Sequence, residues 1–180
     1  YPAVVLESPG VIRHIEGNRL SLGELDNEST ERCRQLAIIL KKAGFKAPIR
    51  KNIRQDIWVK LLGNVAFNPI SALTRATLIQ IASFDKTRFL VKEIMTEVAN
   101  VATKLGIELP ISIDQRIEGA AGVGSHETSM LQDIQYGRPM EIDSIIGAVV
   151  EMGNLVGVEM PYTQAVYACV SLLNNSVKNT

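Results

Sequence analysis

Residues 58–71 read WVKLLGNVAFNPIS, an apolar run in which a lysine, two asparagines and a serine recur at regular intervals. At about 100° per residue, the four polar side chains fall within an arc of about 80° on a helix. They are Lys60, Asn64, Asn68 and Ser71. Apolar residues fill most of the remaining circumference, as in a buried helix. We therefore expect this polar stripe to lie in a cleft, on a helix that Pro69 kinks.

The polar stripe has two interpretations. In the first, a lysine in a site of low dielectric gives up its proton readily, so Lys60 suits a general acid beside a developing alkoxide. Asn64 and Asn68 can both donate and accept, which suits a ligand rich in hydroxyl and carboxylate groups. In the second, the asparagines bond the backbone of neighbouring helices and Lys60 extends to water. Spacing alone leaves both open.

The rest of the chain shows two patterns. Short β-rich segments dominate the first 50 residues, at 3–6, 11–15, 19–24 and 45–49. They surround a helical segment, 30–44, for which Asn27 and Ser29 are the expected N-caps and Gly44 the stop. Further on, apolar residues follow a helical period. The predicted helices are 53–74, 87–105, 112–118, 127–136, 141–156 and 161–174.

These patterns predict a mainly α protein. Residues 1–51 form a small α/β remnant, the end of a larger domain, and residues 52–180 form an all-helical domain. The chain opens at Tyr1 inside strand-like sequence, so we expect it to be a piece of a longer polypeptide.

Composition excludes several classes of function. The 180 residues include 19 basic and 19 acidic side chains, which argues against a dedicated nucleic-acid binder or a polybasic membrane-surface protein. No apolar run is long enough to span a bilayer. One basic stretch, 41–60, is either a solvated surface or a lip over an anionic ligand.

Cysteine and histidine usage bounds the chemistry further. Cys33 and Cys169 are the only cysteines, which favours a reducing, cytoplasmic compartment over a disulfide framework. His14 and His126 are the only histidines, and no zinc-binding pattern is present, so we predict no metal site.

A second polar cluster lies at 126–143, HETSMLQDIQYGRPMEID. Ser129 should open a short helix that stops near Gly137. Pro139 suits the first turn of the next helix, which puts Glu141 near a helix N-terminus, where the dipole favours a carboxylate. Taken alone, Ser129 is a cap or surface hydroxyl and Glu141 a first-turn charge.

Together these segments resemble one family, the ketopantoate reductases (2-dehydropantoate 2-reductases). The resemblance is carried by DIWVKLLGNVAFNPISALT followed by SMLQDIQYGRPMEID. It extends to SPGVIRHIEGNRLSLGE near the start of the chain and to GNLVGVEMPYTQAVYACVSLL near its end. The resemblance implies a 6-phosphogluconate-dehydrogenase-like helical domain after the tail of a Rossmann-like NADP-binding domain. It also implies reduction of 2-dehydropantoate to pantoate with NADPH, on the route to pantothenate and coenzyme A.

The resemblance assigns a role to each matching position. Lys60 falls on the catalytic proton donor, and Asn64 and Asn68 fall on substrate-binding asparagines. Ser129 falls on a substrate-binding serine, and Glu141 on a glutamate that contacts the cofactor. A small 2-keto acid is then the expected substrate, and association as a homodimer through the helical domain is left open.

The chain departs from the family pattern in three places. The GxGxxG fingerprint that cradles the pyrophosphate is missing, and the glycines of GAAGVG, 119–124, have the wrong spacing. We therefore expect the chain alone to be inactive. His126 stands where members commonly carry asparagine, and Leu78 stands where a further substrate-binding asparagine falls.

These departures keep two alternatives open. One is a paralogous reductase that acts on a different 2-keto acid. The other is a non-catalytic helical module for self-association, which would have no need of the polar stripe.

Overall fold

The computed structural model describes residues 2–178, and the side chains from 2 to 177. The chain divides into two compact units, Tyr1–Asp56 and Ile57–Thr180. The division falls inside a long helix.

Unit 1 begins with a β-hairpin. Strands β1 (Ala3–Ser8) and β2 (Val11–Glu16) pair antiparallel, with Leu6 opposite Ile12. The turn uses Gly10 at φ 81°, a left-handed conformation that glycine adopts without steric cost. The β-rich segments predicted at 3–6 and 11–15 are therefore confirmed as strands.

Helix α1 (Glu31–Lys42) follows, capped by Thr30, whose hydroxyl accepts a hydrogen bond from the N–H of Cys33 at 3.2 Å. The predicted caps, Asn27 and Ser29, were wrong. Asn27 is used in a turn at φ 68°, and the Ser29 hydroxyl instead accepts from Arg34 at 2.9 Å.

The strands predicted at 19–24 and 45–49 were also wrong as regular strands. They are joined by backbone hydrogen bonds between 18–22 and 46–50 but count only as isolated parallel bridges, Arg19 with Lys46 and Leu22 with Ile49. Pro48 between them has no N–H to donate, which limits the ladder.

Unit 2 is entirely helical within the described residues. Its helices are α2 (Ile53–Thr74, begun in unit 1), α3 (Leu78–Ser83), α4 (Asp85–Lys104), α5 (Ile113–Gly122), α6 (Ser129–Gln135), α7 (Ala148–Val156) and α8 (Pro161–Lys178), with a π-helical turn at Asp143–Gly147. The mainly α fold class is thus confirmed.

Helix α4 is the centre of this packing. It contacts α3, α5, α7 and α8, and it carries Val91, Ile94, Met95, Val98 and Val101, each fully buried. Burial at this spacing explains why the apolar period from 90 to 105 predicted a helix.

A buried acid also fixes α4 to α8. The Glu97 carboxylate, 7% exposed, accepts hydrogen bonds from the N–H groups of Tyr162 and Thr163, at 2.9 and 2.8 Å, and from the Thr163 hydroxyl at 2.6 Å. These N–H groups belong to the first turn of α8, where no intrahelical acceptor exists. Glu97 therefore serves as the cap of a helix other than its own.

Three predictions for unit 2 need correction. Helix α3 was missed, although Thr77 and Gln80 form a capping box that marks its start. Pro139 lies before the next helix, not in its first turn. That helix, predicted at 141–156, begins at residue 142 with a π-helical turn instead of regular α geometry.

Two further observations concern the length of the helices and the state of the cysteines. None of the helices in the described part of the chain is long and apolar enough to cross a membrane. Cys33 and Cys169 are both free thiols, the first buried and the second exposed.

Candidate functional site

The polar stripe on α2 passes from solvent into the core along its length. Lys60 is exposed, Asn64 is half-buried, Asn68 is 6% exposed and Ser71 is fully buried. The expected burial is therefore right for Asn68 and Ser71 and wrong for Lys60. A lysine side chain is long enough to keep its ammonium group in water while its stem lies on apolar surface.

The buried end of the stripe separates the two interpretations. Ser71 donates to the carbonyl of Ala76 at 2.6 Å, so its hydroxyl holds the end of α2 to the following turn. The Asn68 side chain makes no hydrogen bond to any described residue. Its amide atoms still reach accessible space, because no fully enclosed side-chain N or O atom among residues 2–177 lacks a partner. Ser71 is thus structural, whereas the Asn68 amide is not engaged by the described residues.

The Ser129 segment is connected to this end of the stripe. The N–H of Leu78, the first residue of α3, donates to the carbonyl of His126 at 3.2 Å. Together with the bond from Ser71 to Ala76, this contact connects the end of α2 to the residues that lead into α6. The two positions that depart from the family pattern, Leu78 and His126, are therefore backbone partners.

Ser129 is exposed and is the first residue of α6. The cap is its neighbour Thr128, 5% exposed, whose hydroxyl accepts from the N–H of Leu131 at 3.2 Å. Since Thr128 supplies the cap, the Ser129 hydroxyl is not required for it. Sequence reasoning had assigned Ser129 as either a cap or a ligand, and the structure removes the first role.

Glu141 lies immediately before the helical residues 142–156, as expected, and is exposed. Its carboxylate is in no ion pair or hydrogen bond with the described residues, and only its carbonyl is engaged, accepting from Ser144 at 3.4 Å. The preceding residue is anchored more firmly. The buried Asn174 on α8 accepts from the N–H of Met140 at 2.8 Å.

Asn174 was missed by sequence reasoning. The signal that could have found it is an asparagine on the apolar side of α8, where a buried amide needs a partner.

A hydroxyl–carboxylate pair fixes the π-helical turn that follows Glu141. Tyr167 donates to Asp143 at 2.7 Å, and this hydrogen bond raises the pKa of the tyrosine above its ordinary value. A Cβ at Gly147 would come within 2.9 Å of the Tyr167 oxygen, so glycine makes room for the pair.

The described residues contain no cluster of His, Cys, Asp or Glu that could hold a metal ion. A cavity of about 560 Å³ lies where α7 meets α8, between Asn154 and Gln164. None of the predicted site residues lines it. We place the candidate site on the polar stripe because the side-chain amides of Asn64 and Asn68 make no hydrogen bond to the described residues. Cavity size alone does not identify such available polar groups.

Comparison with known proteins gives a consistent result. Residues 52–174 match the family model described as ketopantoate reductase PanE/ApbA C terminal. A 2-dehydropantoate 2-reductase from Mesorhizobium japonicum is 51% identical over 173 residues, which are 96% of this chain and 53% of that protein. The chain therefore belongs to the ketopantoate reductase family. It spans about half the length of the curated relatives it matches.

Solved structures agree in fold. The 2-dehydropantoate 2-reductase from Methylococcus capsulatus superposes with a TM-score of 0.90 at 32% identity, covering 98% of this chain and 62% of that one. D-Mandelate dehydrogenase in complex with NADH superposes with a TM-score of 0.88 at 26% identity, covering 98% and 60%. Relatives of this fold thus include an enzyme named for a different substrate.

Proposed function

We propose that this chain is the substrate-binding and catalytic half of an NADPH-dependent reductase that converts 2-dehydropantoate to pantoate, in pantothenate and coenzyme A biosynthesis. The observation that carries the proposal is the unused amide of Asn68, buried on the same helical stripe as Lys60. An accessible amide without a protein partner can complete its hydrogen bonds with a ligand. Family membership supports the choice of ligand.

The proposed roles follow from the chemistry of each side chain. Lys60 donates a proton to the keto oxygen as it becomes an alkoxide, which suits an ammonium group at the solvent-facing end of the stripe. Asn64 and Asn68 hold the polar groups of the substrate, and the Ser129 hydroxyl binds it from the α6 side. The products are a 2-hydroxy acid and a neutral lysine, which regains its proton from water.

NADPH supplies the hydride when it is bound. The fit of this chain to the cofactor is limited to one group, the exposed and unpaired Glu141 carboxylate, which can accept hydrogen bonds from ribose hydroxyls. Gly119 and Gly122 lie within α5 and not after a strand, so they do not form a pyrophosphate cradle. Most of the cofactor contacts must come from a separate cofactor-binding domain, and a cytoplasmic location suits such an enzyme.

The test is NADPH oxidation by the full-length protein with 2-dehydropantoate, and then with smaller and bulkier 2-keto acids. Fast turnover on 2-dehydropantoate supports the proposal. The 180-residue chain alone is the matched control and should not oxidise NADPH. Absence of turnover on every acid would favour the self-association module, which sedimentation analysis of the chain would reveal as a homodimer.

A paralogous reductase is the second candidate. It is favoured by Leu78, which offers an apolar side chain where the family pattern has an amide. The fold likeness to D-mandelate dehydrogenase points to an aromatic 2-keto acid, with NADH as a candidate reductant. Turnover that is fast on such an acid and slow on 2-dehydropantoate would establish this alternative.

A further inference from the structure

A guanidinium group lies across the turn of α2 that carries Lys60. Arg116, on α5, donates from Nε to the carbonyl of Val59 at 3.3 Å. At the other end of the turn, a Cβ placed on Gly63 would come within 2.0 Å of Arg116 Nη2 and 2.6 Å of Cζ. The guanidinium therefore occupies surface that glycine at 63 leaves free, and Lys60 lies between its two contact residues in sequence.

This cation has no counter-ion. Among the described residues Arg116 is in no ion pair, and the bond to Val59 is the only hydrogen bond that its side chain makes. The neighbouring acids of α5 are engaged with α4: Asp114 pairs with Lys92 at 3.0 Å and Glu118 with Arg88 at 2.6 Å. The two acids that flank Arg116 on α5 are thus both paired with other cations.

Burial makes this arrangement unfavourable for the free protein. Arg116 is half-buried, and desolvation lowers the pKa of its guanidinium below the ordinary value. A partly desolvated cation loses solvation energy, and without an anion no ion pair compensates for that loss. An anion bound beside Lys60 would restore that energy.

Guanidinium geometry suggests which anion. An arginine can grip a carboxylate through two parallel N–H···O bonds, which a lysine ammonium cannot do. A 2-keto acid carries a carboxylate on the carbon next to its carbonyl. An ammonium aimed at the carbonyl oxygen therefore calls for a second cation nearby, and the Arg116 side chain contacts the turn of α2 that carries Lys60.

We propose that Arg116 is a further substrate-binding residue, which holds the carboxylate of the 2-keto acid beside Lys60. The inference rests on the proposed function and deepens it, because it assigns the recognition of the acid group to a residue outside the polar stripe. The competing explanation is that Arg116 only packs α5 onto α2. Packing alone cannot distinguish an acid from a neutral analogue of equal size.

The experiment compares a 2-keto acid that the full-length enzyme reduces with the corresponding 2-keto amide. Arg116→Leu should raise KM for the acid roughly 10- to 100-fold, the worth of a charged hydrogen-bond pair, and leave KM for the amide unchanged. Arg116→Lys keeps the positive charge but lacks the two parallel N–H donors, so KM for the acid should rise less. Arg34→Leu is the matched control, because it makes the same change on α1 and should leave the ratio of the two KM values as in the wild type.

Each outcome decides a different point. A folded Arg116→Leu protein with an unchanged ratio of KM values overturns the inference and leaves the proposed function standing. If that variant does not fold, Arg116→Lys decides in the same way. A wild-type enzyme that reduces no 2-keto acid overturns the proposed function, and the role of Arg116 falls with it.

Discussion

The N–H of Leu78 donates a hydrogen bond to the carbonyl of His126 at 3.2 Å. This bond joins the first residue of α3 to the segment that leads into α6 and Ser129, so the two departures from the family pattern lie side by side. A substitution at one position that changes substrate preference should therefore alter the effect of a substitution at the other. Neighbouring sites of this kind are expected to couple energetically.

Leu78→Asn should restore an amide at this place without disturbing the backbone bond. If 2-dehydropantoate is the substrate, KM for it should fall roughly threefold to tenfold, the range of one neutral hydrogen bond. Ile79→Asn, an equivalent change at the next and exposed position, is the control and should leave KM unchanged. An unchanged KM in both variants would place residue 78 outside the substrate site.

Lys60 and Asn68 should differ in which kinetic constant they control. Lys60→Ala removes the proposed proton donor, so kcat should fall roughly 100- to 10,000-fold while KM changes little. Asn68→Ala removes ground-state binding and should mainly raise KM. Lys86→Ala, on the exposed surface of α4, is the control for loss of a positive charge. Turnover close to that of the wild type in Lys60→Ala would remove the proton-donor role.

Much of the helical unit could be predicted because its signals are local. Helix α2 was predicted with the bounds that the structure gives, and Gly106 and Gly137 end helices in left-handed conformations as expected. Apolar period and glycine stops act within a few residues, so a single sequence contains them. Helix α3 was missed because it has only six residues, too few for a period to emerge.

The site was predicted less completely, because its partners are distant in sequence. The stripe on α2 is visible from spacing, but its burial is not, and Lys60 proved exposed. The contacts of Arg116 with Val59 and of Asn174 with Met140 join residues 57 and 34 positions apart. No local pattern encodes such pairs, and recognising them requires the packed structure.

Asn174 should control the placement of Glu141. Asn174→Leu keeps the branching of the side chain but leaves the N–H of buried Met140 without an acceptor, which should cost roughly 1–3 kcal/mol of stability. The loosened segment should also raise KM for NADPH more than KM for the 2-keto acid. Asn175→Leu, at the adjacent exposed position, should change neither. Equal effects on both KM values would argue that Asn174 acts on the fold as a whole.

Glu97 should contribute more to the free energy of unfolding than the surface ion pairs do. Glu97→Ala leaves the first N–H groups of α8 buried without an acceptor, and should lower the free energy of unfolding by roughly 2–4 kcal/mol. Glu118→Ala, which breaks the exposed pair with Arg88, should cost about 0–1 kcal/mol. Urea denaturation of the 180-residue chain measures both. Similar losses in the two variants would mean that the cap contributes no more than a surface charge.

Tyr167 provides a prediction about pH. Its hydroxyl must be protonated to donate to Asp143, and this bond raises the tyrosine pKa above its ordinary value of 10.0. A raised pKa means that the folded state holds the proton more tightly than the unfolded state. The contribution to stability is therefore fully present below about pH 10 and is lost as pH rises through the folded pKa.

Asp143→Ala should bring the pKa of Tyr167 back down, since the acceptor and its negative charge are both removed. An NMR titration of the Tyr167 ring in the two proteins measures this directly. Asp133→Ala, which removes a carboxylate paired with Arg138, should leave the titration as in the wild type. If the pKa does not fall in Asp143→Ala, the hydrogen bond is absent in solution. The π-helical turn after Glu141 would then have to be held by packing of Gly147 against the tyrosine ring alone.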